Sequence, residues 1–365
     1  MKKNEDIKRL IETAKKRFSS VEVNNLNNII ENNGVKKSDL TRFANKGDNQ
    51  HTIIVRSLGT KISSHSLRER GNQKFLTKLN GNFHRISLPE KGAFNAAIVR
   101  YNEEKIICVY RSDEAHFVAC YLDNNYNPIK DSFHNLKIKN CSDPRLIWLN
   151  DGSLFLVYSS IHNVSHEKEY ISGTIIMDQK ETGIFIDSQE IRISPESMSD
   201  RQKNWMPFIY DKKVYLVSSV CPHVIHSLDD DFKSKKAYQT NWSSPWFINM
   251  HHRGNTNAVM LDDGNYLATF HTSFLHKGMH YYDNGSYIFS GKPPFNVLKC
   301  SNRTYLPAES ACEKHFRKES EILCNFPVGM MLENNKVIIS YGDNDSVVKI
   351  VEYKVEDFLN TMVDV

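Results

Sequence analysis

The sequence repeats one short pattern five times, and that repeat leaves few folds open. Each copy has a small or proline-containing opening, four or five apolar residues, a polar turn, and a second apolar run that ends in a polar residue. The copies run from Asn95 to Ser112, Asp143 to Ser160, Trp205 to Cys221, Thr256 to Ser273 and Pro327 to Asn344. Turn chemistry such as Asn150-Asp151-Gly152 and Asp262-Asp263-Gly264 between the apolar runs makes each copy a β-hairpin. Hairpins recurring every 50 to 70 residues or so predict a radial all-β fold, a five-bladed β-propeller, rather than a helical solenoid.

In a propeller the first strand of each blade lies near the central channel, and the antiparallel second strand returns to where the first began. The start of strand one and the end of strand two therefore share a face. On this geometry Asn95, Asp143, Arg145, Lys203, Asn204 and Arg253 come from the openings of the repeats, and Arg111, His271, Tyr341 and Asp343 from the ends of second strands. All are expected at one channel mouth. An apolar wall has no need of them, and their recurrence in register points to a binding site.

Residues 1–80 read differently and are expected to form a separate helical or irregular segment, with the propeller over 81–365. Ile7, Leu10, Ile11 and Ala14 stand at helical spacing, and a second helix is expected around Val23 to Ile30. This segment holds 17 Lys and Arg against 8 Asp and Glu, in a chain whose formal net charge is +4. It suits a solvated helix packed on the propeller or, as a second reading, contact with an anionic membrane surface or a lipid-linked glycan. No nucleic-acid motif accompanies the charge. No run approaches 18 apolar residues, and the charged start MKKNEDIKRLIETAKKRF lacks the apolar stretch of a signal peptide. The 7 cysteines are odd in number and show no CxxC pairing, so reduced thiols in a cytoplasm are expected, with neither disulfides nor zinc.

A sugar site needs carboxylates to move protons, amides and arginines to grip hydroxyls, and aromatic faces to stack on rings. The expected mouth holds such groups, with Asp143 in Ser142-Asp143-Pro144-Arg145. The order of these motifs resembles the inverting β-mannoside phosphorylases and hydrolases of glycoside hydrolase family 130, and the related mannosyltransferases. The resemblance covers about residues 90–355. It is carried by Asp143-Pro144-Arg145, Lys203-Asn204-Trp205-Met206-Pro207-Phe208, Arg253-Gly254-Asn255-Thr256, His271 in Phe270-His271-Thr272-Ser273, and Ser340-Tyr341-Gly342-Asp343-Asn344-Asp345. Ser142 and Gln202 stand where the family pattern has glutamates.

The resemblance implies inverting transfer of a glycosyl group, mannosyl by preference, with Asp143 as the acid/base. It implies that Asn95, Arg111, Arg145, Asn204 and Asp343 bind substrate, and that Lys203, Arg253, His271 and Tyr341 line the phosphate or donor pocket. Asp343 or Asp345 is the candidate second carboxylate. No cofactor is implied; inorganic phosphate or a sugar nucleotide would enter as substrate, and the partners would be a carbohydrate donor and acceptor. The pattern departs from the phosphorylases in the second blade, where no arginine occurs between Arg145 and Arg192. That gap favours a glycosyltransferase using a sugar nucleotide or sugar phosphate. The alternatives are a phosphorylase or hydrolase of the same fold and a non-catalytic glycan-binding propeller. The furanosidase type of five-bladed glycosidase is disfavoured by Asn95 at the first position and by Glu309, which lies between repeats.

His251, His252, His271, His276 and His280 fit no zinc spacing, and no metal is expected. Trp205 and Trp246 are read as aromatic fillers between blades or, second, as sugar-stacking rings. Tyr281, Tyr282, Tyr287 and Pro293-Pro294-Phe295 are read as an insertion after the fourth hairpin, where acceptor specificity would lie.

Overall fold

The computed structural model describes residues 79–90, 92–112, 114–161, 169–179, 183–186, 190–195, 202–242, 252–276, 279–302, 304–306 and 322–365. The helices expected in the basic segment, and Trp246, His251 and Glu309, lie outside the described residues. No described helix is long and apolar enough to cross a membrane.

Five antiparallel sheets follow one another along the chain, each opening with one of the hairpins read from the sequence. Strand β1 (Asn82–Arg85) is first in sequence. Blade one is β2 (Phe94–Arg100), β3 (Ile106–Arg111), β4 (His116–Leu122) and β5 (His134–Lys139), in that spatial order. Blade two is β6 (Cys141–Trp148), β7 (Leu154–Ile161) and β8 (Glu169–Gln179), with both β9 (Gly183–Ile186) and β10 (Ile191–Arg192) pairing to β8. Blade three is β11 (Met206–Tyr210), β12 (Lys213–Ser219), β13 (His223–Leu228) and β14 (Ser234–Thr240).

In blade four two short strands, β15 (Arg253–Gly254) and β16 (Val259–Met260), pair with β17 (Tyr266–His276). There follow β18 (Met279–Phe289) and β19 (Val297–Ser301), with β20 (Ile322–Leu323) running parallel to β18. Blade five is β21 (Asn325–Glu333), β22 (Lys336–Asp343) and β23 (Val347–Lys354), and β1 completes its outer edge. After β23 come the single turn α1 (Val355–Leu359) and β24 (Met362–Asp364), which extends blade four beyond β19. The earliest described strand thus closes the last blade, and the final strand covers the edge of the one before it. Both additions occupy edges that would otherwise offer unpaired backbone groups.

Local chemistry explains the hairpins. In blade two Asp151 accepts hydrogen bonds from Ser153 N at 2.9 Å and Ser153 Oγ at 2.6 Å, which hold its carboxyl below the ordinary range. Gly152 supplies the left-handed step with φ 83°. Blade four repeats the device with Asp263, Gly264 and Asn265.

Between blades the core is apolar. Leu146, Leu156 and Tyr158 of blade two pack with Val109 and Phe117 of blade one, and Ile98 and Cys108 of blade one pack with Ile338 and Val348 of blade five. Trp205 is buried between blades two and three with Phe155 and Leu216, the filler role expected of it. The seam between blades three and four is aromatic: Phe208 meets Tyr266, Phe289 and Phe295 with ring centroids 4.9 to 5.4 Å apart.

One expectation is corrected here. Tyr281, Tyr282 and Tyr287 lie within β18, paired along its length with β17, and so belong to a blade strand rather than an insertion. Long polar-flanked strands read as loops when their apolar alternation is interrupted, here by Asp283, Asn284 and Gly285.

Candidate active site

The polar ends of the blades meet through side chains. The first strands of blades one and two each carry a bulge near their start, with register shifts between Phe94 and Ala97 and between Ser142 and Arg145. At these bulges Asn95 (φ 51°) and Asp143 (φ 55°) adopt the left-handed conformation that Asn and Asp tolerate best, as does Asn204 (φ 63°) ahead of β11. A bulge re-aims a side chain that regular pleating would bury on one face or the other. The outcome is a contact between blades: Asn95 Nδ2 donates to Asp143 Oδ1 at 2.9 Å, with Asp143 half-buried.

Arg145 ties this pair to blades three and four. Its Nη1 donates to Asp143 O at 2.9 Å, its Nη2 reaches Asn204 Oδ1 at 3.5 Å, and its Nε donates to Asn255 O. The guanidinium is only 1 % exposed, and burial lowers its pKa to about 10, with the Asp143 charge acting against the shift. Asn255, before β16, in turn meets His271 Nδ1 through Oδ1 at 2.6 Å and donates from Nδ2 to Asn284 Oδ1 at 3.1 Å. Asn284 on β18 donates to Asn325 O of blade five at 2.9 Å. Asn325 pairs with Asp343, and the residue before it, Gly342, packs directly on Asn95. These contacts run through all five blades and return to Asn95.

Around this ring lie cationic and aromatic groups. Arg253 stands opposite His271 across the β15–β17 pair. The Tyr282 ring lies 5.2 Å from the His271 ring, and Phe326 approaches the same imidazole at 5.2 Å. The Tyr282 hydroxyl is pushed up to about 12, first by burial and then by the negative charges of Cys324, Asp345 and Asp143, with Arg253 opposing. Tyr282 therefore senses Asp143 and Arg253 together. Arg111, at the end of β3, lies over the Phe94 ring at 5.0 Å, and its buried Nε has no hydrogen-bond partner among the described residues.

A family profile described as beta-1,4-mannooligosaccharide phosphorylase matches residues 75–364. The chain belongs to glycoside hydrolase family 130. Members of family 130 act on β-mannosidic linkages as phosphorylases or hydrolases, so the chain is an enzyme acting on glycans. Sugar-nucleotide transfer, favoured from sequence, gains nothing from this match; its phosphorylase or hydrolase alternative does. Among solved structures, a mannose phosphorylase from Leishmania mexicana in complex with a phosphate ion is 12% identical, with TM-score 0.53, covering 84% of this chain and 95% of its own. A β-1,2-mannobiose phosphorylase from Listeria innocua is 13% identical, with TM-score 0.51, covering 76% and 92%. A family 130 structure from work on glycoside hydrolases targeting β-1,2 mannosidic linkages in Candida mannan is 12% identical, with TM-score 0.52, covering 73% and 85%. At such identities the likeness is one of fold. Comparison with curated protein sequences gives no match.

Within this candidate site of a family 130 chain the residues expected from sequence divide. Asn95, Asp143, Arg145, Asn204 and His271 are joined by the contacts above, with Arg253 facing His271. Lys203, beside Asn204, lies 3.9 Å from Glu169 Oε2. Glu169 opens β8, the strand noted for its lack of arginine, and is 4 % exposed. Asp343 is buried and ion-paired to Lys349 at 2.8 Å. Tyr341 is fully buried in the apolar cluster with Val351 and Tyr353, so its ring belongs to the packing of blade five rather than to a donor pocket. Arg145, likewise expected to touch substrate, turns its guanidinium into the protein. Among the described residues no group of His, Cys, Asp and Glu is placed to hold a metal.

The sequence alone gives no role to Glu169, Asn255 or Asn284 and places Tyr282 in an insertion. The signal for the amides was present: Asn255 lies inside Arg253-Gly254-Asn255-Thr256, and Asn284 interrupts an otherwise β-prone run. A buried amide in a strand needs partners, and those come from other blades.

Proposed function

We propose that this chain hydrolyses β-mannosides with inversion, the catalytic unit being the propeller over residues 81–365. The observation that carries the reading is the Asn95–Asp143 contact, which holds a half-buried carboxyl at the junction of two bulged strands. Asp143 gives its proton to the glycosidic oxygen as the C1–O bond breaks, while a water oxygen bonds to C1 from the opposite face. The water's second proton needs a carboxylate, as inverting hydrolysis ordinarily does. Glu169 is the candidate for that base. Its carboxylate beside Lys203 also supports water over phosphate as the nucleophile, since like charge disfavours a phosphate dianion there and Lys203 is already compensated. Arg253, His271 and Tyr282 are proposed to hold the sugar, with Asn204 and Arg111 as further hydroxyl partners and Arg145 as the support of Asp143.

Phosphorolysis is the second reading. It is supported by the description of the matching family and by Arg253 beside His271. Incubation with β-1,4- and β-1,2-linked mannobiose, with and without inorganic phosphate, separates the two. Free mannose without phosphate is expected; mannose 1-phosphate formed only when phosphate is added overturns hydrolysis in favour of phosphorolysis. Asp143→Asn is expected to lower turnover by about 10²- to 10⁴-fold while mannobiose still binds. Binding by a wild-type chain that cleaves neither sugar under either condition would leave a glycan-binding propeller.

A further inference from the structure

The hydrogen bonds on the blade-four side of the site run in one direction. Asn284 Nδ2 donates to two backbone carbonyls, Leu306 O at 3.2 Å and Asn325 O at 2.9 Å. Carbonyls only accept, so this end of the amide is its NH₂ and the oxygen faces the other way. There Asn284 Oδ1 accepts from Asn255 Nδ2 at 3.1 Å. With its own NH₂ committed to Asn284, Asn255 turns Oδ1 toward His271, 2.6 Å from Nδ1. An amide oxygen cannot donate, so the hydrogen of this contact belongs to Nδ1. Both asparagines are 0 % exposed, which removes solvent as a competing partner.

We infer that Asn255 and Asn284 are positioning residues that lock the neutral ring of His271 as its Nδ1–H tautomer, which makes Nε2 an acceptor while the ring is neutral and a donor only after proton uptake. A sugar hydroxyl, a water or the P–OH of a hydrogen phosphate can donate to a neutral Nε2; an unprotonated phosphate oxygen cannot. For a ligand that reaches Nε2, a contact through an unprotonated phosphate oxygen is therefore linked to proton uptake by the ring, and one through a sugar hydroxyl is not. Among the described residues the charged and titratable groups around the imidazole include Arg253 opposite on β15 and Tyr282 on β18, with Asp283 beside Asn284 and with Asp143, Asp345 and Cys324 acting on Tyr282. The functional consequence rests on the mannoside-cleaving reading, whereas the tautomer is a property of the folded chain.

The test is nitrogen NMR on the full chain labelled with ¹⁵N in its histidine rings, with His271→Gln to assign the signals. At a pH where the ring is neutral, a protonated Nδ1 and a bare Nε2 are expected; a protonated Nε2 overturns the inference. Asn255→Leu removes the acceptor and is expected to give a mixture of tautomers, and an unchanged pure tautomer would show that the relay does not set it. Asn255→Asp keeps an acceptor of similar size, and its charge is expected to keep the ring protonated to higher pH than in the wild type, by about one unit or more. An unmoved titration in that variant counts equally against the relay. A bare Nε2 in a chain that cleaves no mannoside would leave the relay standing and remove only the functional reading; a protonated Nε2 in an active hydrolase would do the reverse.

Discussion

The two flanks of the site are built on opposite plans. On the side of blades one and two, Asn95 and Asp143 sit on bulged, left-handed backbone, joined by one side-chain hydrogen bond, with Asp143 partly open to solvent. On the side of blades four and five, Asn255 and Asn284 lie on or beside regular strands, fully buried, with each amide committed to protein partners. The group proposed to exchange a proton is accessible and lightly tethered; the amides on the other flank are satisfied and dry. Arg145 spans the two, since its guanidinium touches Asp143 O, Asn204 Oδ1 and Asn255 O.

The contrast breaks most visibly at Asn284. Asn284→Leu removes the donor to the Leu306 and Asn325 carbonyls and the acceptor of the Asn255 NH₂, and at about 1–3 kcal/mol for a buried group left unsatisfied the loss should reach about 3 kcal/mol. Denaturant unfolding measures it. A cost below about 1 kcal/mol would show that the blade-four flank is no firmer than the other.

Gly342→Ala probes the opposite flank. A Cβ at Gly342 would overlap Asn95 Oδ1 and stand 3.0 Å from Asn95 N, so the Asn95 amide must leave Asp143. Turnover is expected to fall about tenfold, with a stability loss of about 1–2 kcal/mol from overpacking. Unchanged turnover in steady-state kinetics would deny the Asn95–Asp143 contact its catalytic role.

A third effect comes from neither flank and separates the pH dependence of stability from that of catalysis. His223, held by the Phe295 carbonyl at 3.0 Å, and His226, against Trp205 with both ring nitrogens unpartnered among the described residues, are pushed down to about 4, mainly by burial. Their folded pKa lies below the ordinary value near 6.5, so the unfolded chain binds more protons between pH 6.5 and 4. The stability present above pH 6.5 is lost as pH falls through that window, by at most about 1.4 kcal/mol per pH unit for each ring. Unfolding midpoints in this range should flatten in His226→Phe; an unaltered slope would mean that the ring is hydrated in the native state.

The blades were legible because a hairpin announces itself locally. Asp151-Gly152 and Asp263-Gly264 close their turns with their own side chains and φ values, and the flanking apolar runs have only one way to be buried. Asp143 and Asn95 were legible as members of repeating motifs. Tyr341 and Asp343 were legible only as letters of Ser340-Tyr341-Gly342-Asp343; two residues apart on β22 they share a face, and what each meets there is decided by the packing of the blade, which puts Tyr341 with Val351 and Tyr353 and Asp343 against Lys349. Glu169 carried no signal at all, because its meaning lies in Lys203, which belongs to the next blade.

By itself the sequence determined the five-fold hairpin repeat, the all-β class and the set of polar residues at the blade ends, since turn geometry and alternating burial act over a few neighbouring positions. Only the tertiary structure decided which of those residues face one another: Asn95 with Asp143, Glu169 with Lys203, and Asn284 through Asn255 with His271. Each of these relations either joins different blades or crosses strands within one. A hydrogen bond is fixed by separations of a few tenths of an ångström, and closing the ring of blades, not the spacing of letters, sets those separations.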